Sequence, residues 1–511
     1  MSQKTRGAIA AGHQLTVAAG KEMFNLGGNA FDAAIAAVLA AFVVESTLTS
    51  AGGGGFFLAH TQEKNNLLFD FFPDTPRQKR PLNELDFYPI EINFGGEKQT
   101  FHIGLGSVAV PGNIAGIFQV HQQLGKLPFK IVAEPAIEYA KNGFKINNYQ
   151  SFCIQLLAPI LQANPACRQV YAPKVELLTA GKTCYMPDFA ATLTYLVEQG
   201  VTEFYQGDIA QKIVKDCQEK GGYLTIKDLT KYQVNVRQPL QINYRGYEIL
   251  TNPPPSSGGI LIAFALKLIQ KIEFGQIEFG SKEHLQILAE VMRLTNTARK
   301  NEYDANIYEE KITDNFLDKD LVKEYQKQLE NTVNKWGSTT HISVVDEAGN
   351  AASVTTSNGE GSSYIIPGTG IMLNNMLGEE DLNPFGFHQW QCYQRISSMM
   401  SPTMVLEKGK PKIVLGSGGS NRIRTAILQV ISNIIDFDLT LEKAVQSPRV
   451  HWENNIFSIE PTSTKVEQLI LPEATKIVLW EAKNMFFGGV NAVTLNEAVG
   501  DERRSGVGEI V

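Results

Sequence analysis

Residues 33–44 are apolar without interruption, closed off by Asp32 on one side and Glu45 on the other. The run is too short to cross a bilayer, which takes about 20 residues, and a helix that is hydrophobic on every face has to be buried. Residues 16–26, just ahead, have helical spacing and stop at Gly27-Gly28. Asn29 is then placed to cap the buried helix, with Asp32 in its first turn. The fold is expected to open on this helical pair. Residues 56–58 and 67–71 read as two short buried strands. Farther along, 113–124 are periodic and Pro135 is expected to start a short helix ended by Gly143. Residues 281–299 are amphipathic, and 318–329 alternate charges like a solvated helix face.

Two glycine-rich stretches leave alternatives. Gly52-Gly53-Gly54-Gly55 either lets backbone amides approach a ligand or permits tight packing, and without a following Gly-Lys-Ser/Thr it is no phosphate loop. Pro253-Pro254-Pro255-Ser256-Ser257-Gly258-Gly259 reads as a fixed loop ahead of an apolar helix over 260–269.

Composition excludes several functions. With 511 residues, 43% hydrophobic and 19% charged, the chain has ample material for a large core, and no long linker divides it. A net charge of −7 with mixed signs gives no basic stripe, so no nucleic-acid partner is expected and small polar substrates are favoured. Cys153, Cys167, Cys184, Cys217 and Cys392 form no CxxC pair and the histidines show no ligand spacing, so free thiols, no metal and no cofactor are expected. Residues 1–13 lack a charged segment followed by an apolar core and a cleavage site. The chain as given is expected to be cytoplasmic with no membrane partner, an exported form with a trimmed signal being the alternative.

The chemistry concentrates at Thr339-Thr340-His341-Ile342-Ser343-Val344-Val345-Asp346. This stretch follows a polar segment ending in Gly337-Ser338, and a turn, Glu347-Ala348-Gly349-Asn350, then leads to a second strand over 351–357. One reading is an ordinary hairpin entered from a loop. The other is a precursor that cuts itself: Thr339 Oγ attacks the Ser338 carbonyl and the ester hydrolyses. Thr339 is left with a free α-amine, whose ordinary pKa of about 8 suits it to act as base for its own hydroxyl.

Thr339-Thr340-His341-x-Ser343, then Gly349-Asn350 and Thr355-x-Ser357, resembles the processing site of the γ-glutamyltranspeptidases, which are N-terminal-nucleophile hydrolases. Further blocks resemble the same family in the same order: Val108-Ala109-Val110-Pro111-Gly112, Tyr244-Arg245-Gly246-Tyr247, Leu373-Asn374-Asn375, Gly416-Ser417-Gly418-Gly419-Ser420 and Asp501-x-Arg503-Arg504-x-Gly506. The resemblance implies an α+β fold, a four-layer αββα sandwich built by both products of self-cleavage, residues 1–338 and 339–511, which remain associated and can oligomerise further. It implies γ-glutamyl amides such as glutathione as substrates, with water or an amino acid or peptide as acceptor. Related cephalosporin acylases offer the same chemistry on another acyl group, and an uncleaved scaffold is the reading without catalysis.

By the same resemblance Thr339 is nucleophile and base, Ser357 assists it where relatives carry threonine, and the amides of Gly418 and Gly419 receive the oxyanion, Ser420 being the alternative donor. The substrate head would meet Asn358, Glu360, Glu379, Asp381, Ser397 and Ser398, with Glu380 a third acid beside the latter two carboxylates. Phe72 falls where relatives place the arginine that pairs with the substrate α-carboxylate, so that bidentate contact is lost unless Arg77, Arg80 or Arg395 replaces it.

Overall fold

Two antiparallel sheets face each other through the middle of the molecule. The first, of seven strands, runs in the order Val507–Ile510, Gly7–Ala11, Thr340–Asp346, Ala351–Ser357, Gly54–His60, Asn66–Phe71, Asn235–Arg237. The second, of six, runs Ala498–Val499, Gly489–Val493, Lys410–Gly418, Thr403–Glu407, Tyr247–Thr251, Leu240–Tyr244. These elements belong to a computed structural model that describes residues 5–93, 98–325, 339–383, 385–465, 469–471 and 475–511. The scissile bond read at Ser338, the polar segment before it and most of the end of the 318–329 helix lie outside those residues; the described part of that helix is Lys319–Tyr325.

Strand periodicity sorts side chains into layers. Ile342 and Val344 join Ala352 and Val354 in one apolar cluster with the helices Gln14–Asn25 and Ala30–Val44. Val345 and Ala351 point the other way, into a cluster with the second sheet and the helices Ser257–Ile269 and Arg422–Ile435. The result is helix, sheet, sheet, helix, the αββα sandwich. Every residue of Ala30–Val44 is buried, and Asn29 and Asp32 close a reciprocal capping box at its start.

Two local expectations fail. Pro135 sits inside the helix Phe129–Asn142. Its apolar face, Val132, Ala133, Ala136 and Ala140, begins before the proline, and packing that face outweighs one lost backbone bond. Ser257, Gly258 and Gly259 form the first turn of a helix, where a Cβ on Gly258 would come 2.1 Å from the Met399 carbonyl oxygen and one on Gly259 would come 2.2 Å from that of Asn252. These glycines serve close packing. So does Gly53, whose Cβ would meet the Ser357 carbonyl oxygen at 2.2 Å, while Gly54 and Gly55 already belong to a strand. All five cysteines are unpaired, and only Cys392 is exposed. Among the described residues no helix is long and apolar enough to cross a membrane.

Candidate active site

Thr339 heads a central strand of the first sheet. The hairpin pairs Thr340 with Thr356, and continuing that register by one residue sets Thr339 opposite Ser357. Alternation then separates two neighbouring hydroxyls. Thr340 turns toward the helical layer, where its Oγ1 donates to Glu45 at 2.5 Å; Thr16 Oγ1 donates to the other carboxylate oxygen at 2.6 Å. Burial pushes the Glu45 carboxyl up from the ordinary carboxylate range, the two hydroxyls partly opposing it. Thr339 lies on the side of the second sheet.

On that side the loop closing Lys410–Gly418 comes against it. A Cβ on Gly418 would stand 2.1 Å from the Thr339 carbonyl oxygen, and Gly419 has φ +119, a conformation that suits glycine. Ser420 Oγ is already used, donating to Asp381 Oδ2 at 2.5 Å. His341 is no candidate base: its ring nitrogens bond Thr355 Oγ1 and Ser343 Oγ at 2.8 and 2.9 Å, and burial lowers its pKa to about 3. The neutral ring lies flat on Gly416, where a Cβ would meet it at 2.2 Å.

Phe72, Thr339, Ser357, Met376, Glu379, Asp381, Leu382, Ser398, Met399, Met400, Ser420 and Ile423 enclose a pocket of about 30 Å³, room for a water or two. Seven residues singled out from the sequence therefore meet: Phe72, Thr339, Ser357, Glu379, Asp381, Ser398 and Ser420, with Gly418 and Gly419 alongside. Three others do not line the pocket. Asn358 is buried, accepting from Ser50 Oγ at 3.0 Å and donating to the Leu373 carbonyl at 3.4 Å. Glu360 stands behind, its N–H donating to Glu379 Oε1 at 3.1 Å. Ser397 turns away to Ser257, hydroxyl to hydroxyl at 3.2 Å, and Met399 takes the wall beside Ser398.

The charge of this pocket is one-sided. Burial first, then the charges of Glu360 and Asp381, drives the Glu379 carboxyl well above its ordinary range. Phe72, in the same lining, is fully buried and stacks on Phe56 with ring centroids 5.4 Å apart. No lysine, arginine or histidine lines the pocket among the described residues. The three arginines that could have replaced the missing one are engaged elsewhere. Arg395 faces Asp70 and Asp74 at 3.4 and 3.3 Å and donates to Tyr232 at 2.8 Å. Arg77 stacks on Tyr393, and Arg80 holds Glu84 and the carbonyls of Cys217, Gln218 and Gly222. Among the described residues no group of three or more His, Cys, Asp or Glu is arranged to hold a metal ion.

Sequence reading missed the role of Glu45, which showed only as the end of an apolar run. It missed the apolar wall of Leu382, Met400 and Ile423 as well, since no spacing marks it.

The Gamma-glutamyltranspeptidase family profile matches residues 16–511. The "Acylase ACY 1 proenzyme" of Pseudomonas sp. (strain SE83) is 30% identical, the match covering 96% of this chain and 90% of that protein. The "Glutathione hydrolase proenzyme" of Escherichia coli (strain K12) is 31% identical over 98% of this chain and 88% of that protein. A cephalosporin acylase from Bacillus halodurans has the same fold, with TM-score 0.86 at 23% identity over 100% of this chain and 97% of that one.

Proposed function

The chain belongs to the γ-glutamyltranspeptidase family, and on that premise we propose that it is a self-processing N-terminal-threonine amide hydrolase with an acylase-like, apolar acyl pocket. In the precursor, Thr339 Oγ attacks the Ser338 carbonyl, the acyl group moves from nitrogen to oxygen and so frees the α-amine, and water then hydrolyses the ester to give the Ser338 carboxylate and the Thr339 hydroxyl. The fragments, 1–338 and 339–511, stay joined because Thr340–Asp346 pairs with Gly7–Ala11 and Ala351–Ser357 pairs with Gly54–His60.

The mature centre then works on a substrate amide. The Thr339 α-amine takes the Oγ proton as oxygen attacks the acyl carbon. The Gly418 and Gly419 amides face the oxyanion, a contribution worth about 3 kcal/mol per donor in such sites. Collapse breaks the C–N bond, the leaving amine takes the proton back from the α-ammonium, and water or an amino acid acceptor resolves the acyl ester. Ser357 Oγ, fixed by the Gly359 N–H at 2.9 Å, stands opposite the nucleophile to orient it.

The acyl preference rests on one observation: Phe72, fully buried, forms the wall where a charged head would need a cation. A γ-glutamyl reading remains the second one, favoured by Glu379 and Asp381, which could meet a substrate ammonium. A denaturing gel with mass spectrometry of the small fragment, followed by a panel of acyl anilides, tests both steps. Fragments with Thr339 at the new N-terminus are expected, with neutral acyl anilides cleaved faster than the γ-glutamyl one. A chain that stays whole on long incubation overturns the first step, and a marked γ-glutamyl preference overturns the second.

A further inference from the structure

We propose that Arg504 is a positioning residue of this centre: its guanidinium, lodged behind the Gly418–Gly419 loop, adds a fixed positive charge to the two amides that receive the oxyanion. The inference rests on the acyl-transfer reading above. Arg504 is only 7% exposed, and its stem lies on Gly489, where a Cβ would meet Cδ at 2.5 Å. Gly489 pairs with Gly418, so the side chain runs along the back of the loop. A Cβ built on Gly418 would be 3.3 Å from Arg504 Nη1 and 2.1 Å from the Thr339 carbonyl oxygen. One on Gly419 would be 3.0 Å from Nη2. The cation and the nucleophilic residue flank the same spot.

Arg504 is poorly compensated where it lies. Its Nη2 donates to the Met485 carbonyl at 3.2 Å, while Nε and Nη1 are buried with no acceptor, and among the described residues it forms no ion pair. Its neighbour Arg503 is fully served, by Glu460 and by Asp501 Oδ1 at 3.2 Å, and Arg449 takes the other Asp501 oxygen at 2.7 Å. The local acids are therefore spent on the residues around Arg504. A buried guanidinium with open N–H groups is costly, and the cost is offset when negative charge appears beside it. The tetrahedral oxyanion at Thr339 is such a charge, present in self-cleavage and in turnover, and a preorganised dipole or cation in a dry site acts on it without reorganisation.

The test compares Arg504→Met, which keeps the stem and removes the charge, with Arg504→Lys, which keeps the charge. Three readouts are taken: the rate of self-cleavage on a gel, kcat and KM on the best anilide, and the melting temperature. A charge several ångströms away in a partly buried site predicts a loss of about ten- to a hundredfold in kcat and in self-cleavage for the methionine variant. KM should stay within about twofold, and lysine should restore about tenfold of the loss. Equal rates for the two variants, or a methionine variant at the wild-type rate, would overturn the proposal in favour of a packing role. If the methionine variant fails to fold, Arg504→Gln, which can still donate to Met485, is judged against lysine in the same way. A wild type that never cuts itself overturns this proposal and the acyl-transfer reading together, whereas a wild type that cuts with an indifferent residue 504 overturns this one alone.

Discussion

Replacing Phe72 by arginine puts a number on the pocket's preference. The ring is 0% exposed and stacks on Phe56 at an interplanar angle of 14°, so its loss removes a contact worth about 0.5–1.5 kcal/mol beyond area burial. The incoming guanidinium would share the pocket with Asp381, which limits the cost of burying it. For a γ-glutamyl substrate the gain is a charge-assisted contact to the α-carboxylate, about 1.5–3 kcal/mol, or one to two decades. A neutral acyl group of the same length gains nothing. The quantity to measure is the ratio of kcat/KM for the γ-glutamyl anilide to that for the neutral anilide, in which changes in folded fraction cancel. It should rise about ten- to a hundredfold in Phe72→Arg and move by less than about threefold in Phe72→Leu, which keeps the wall apolar. A wild type with a micromolar KM for the γ-glutamyl anilide, and a ratio unmoved by arginine, would refute the reasoning.

Two further outcomes follow from the geometry. Gly418→Ala places a methyl 2.1 Å from the Thr339 carbonyl oxygen, so the loop must move; a folded protein with self-cleavage slowed more than about a hundredfold is expected, checked by mass spectrometry against circular dichroism. Glu379→Gln should stabilise the protein increasingly as pH rises. The folded-state carboxyl is raised above its ordinary value of 4.5, so its contribution is fully present below that pH and is lost as pH climbs toward the folded value, with a slope approaching about 1.4 kcal/mol per pH unit. Paired melts from pH 4.5 to 9 should diverge, and parallel curves would show that Glu379 ionises freely in the fold.

The parts of the fold legible in the sequence are those with local causes. Asn29 and Asp32 cap a helix through bonds within one turn, and 33–44 can only be buried, so both read correctly. The hairpin from Thr340 to Ser357 follows from alternation and a polar turn. The four-layer arrangement came from the resemblance, since no periodicity says which face of a sheet meets which helix. Pro135 and Gly258 misled because their meaning lies in distant partners: the helix Ala30–Val44 against which Phe129–Asn142 packs, and the Met399 carbonyl against which Gly258 fits. A residue type names a backbone option, and tertiary packing decides which option is used.

The same distinction governs the site. Thr339 could be named from the chemistry, and Ser357, Gly418 and part of the lining from the resemblance, but which of two neighbours faces the pocket could not, because in an extended segment a slip of one residue exchanges inward for outward. Ser397 and Ser398 show it: one bonds Ser257 outside the pocket, and the other forms the wall with Met399. Charge is harder still to read, since it depends on who is paired with whom. Arg395 is committed to Asp70, Asp74 and Tyr232, so it offers no cation to the pocket despite being two residues from Ser397. Glu379 is pushed toward its neutral form by burial and by its acidic neighbours. A pocket lined by a phenyl ring and by a carboxyl tending to protonation offers little of the charge contrast that a zwitterionic head needs. On the acylase-like reading proposed above, a neutral acyl group would need none of it.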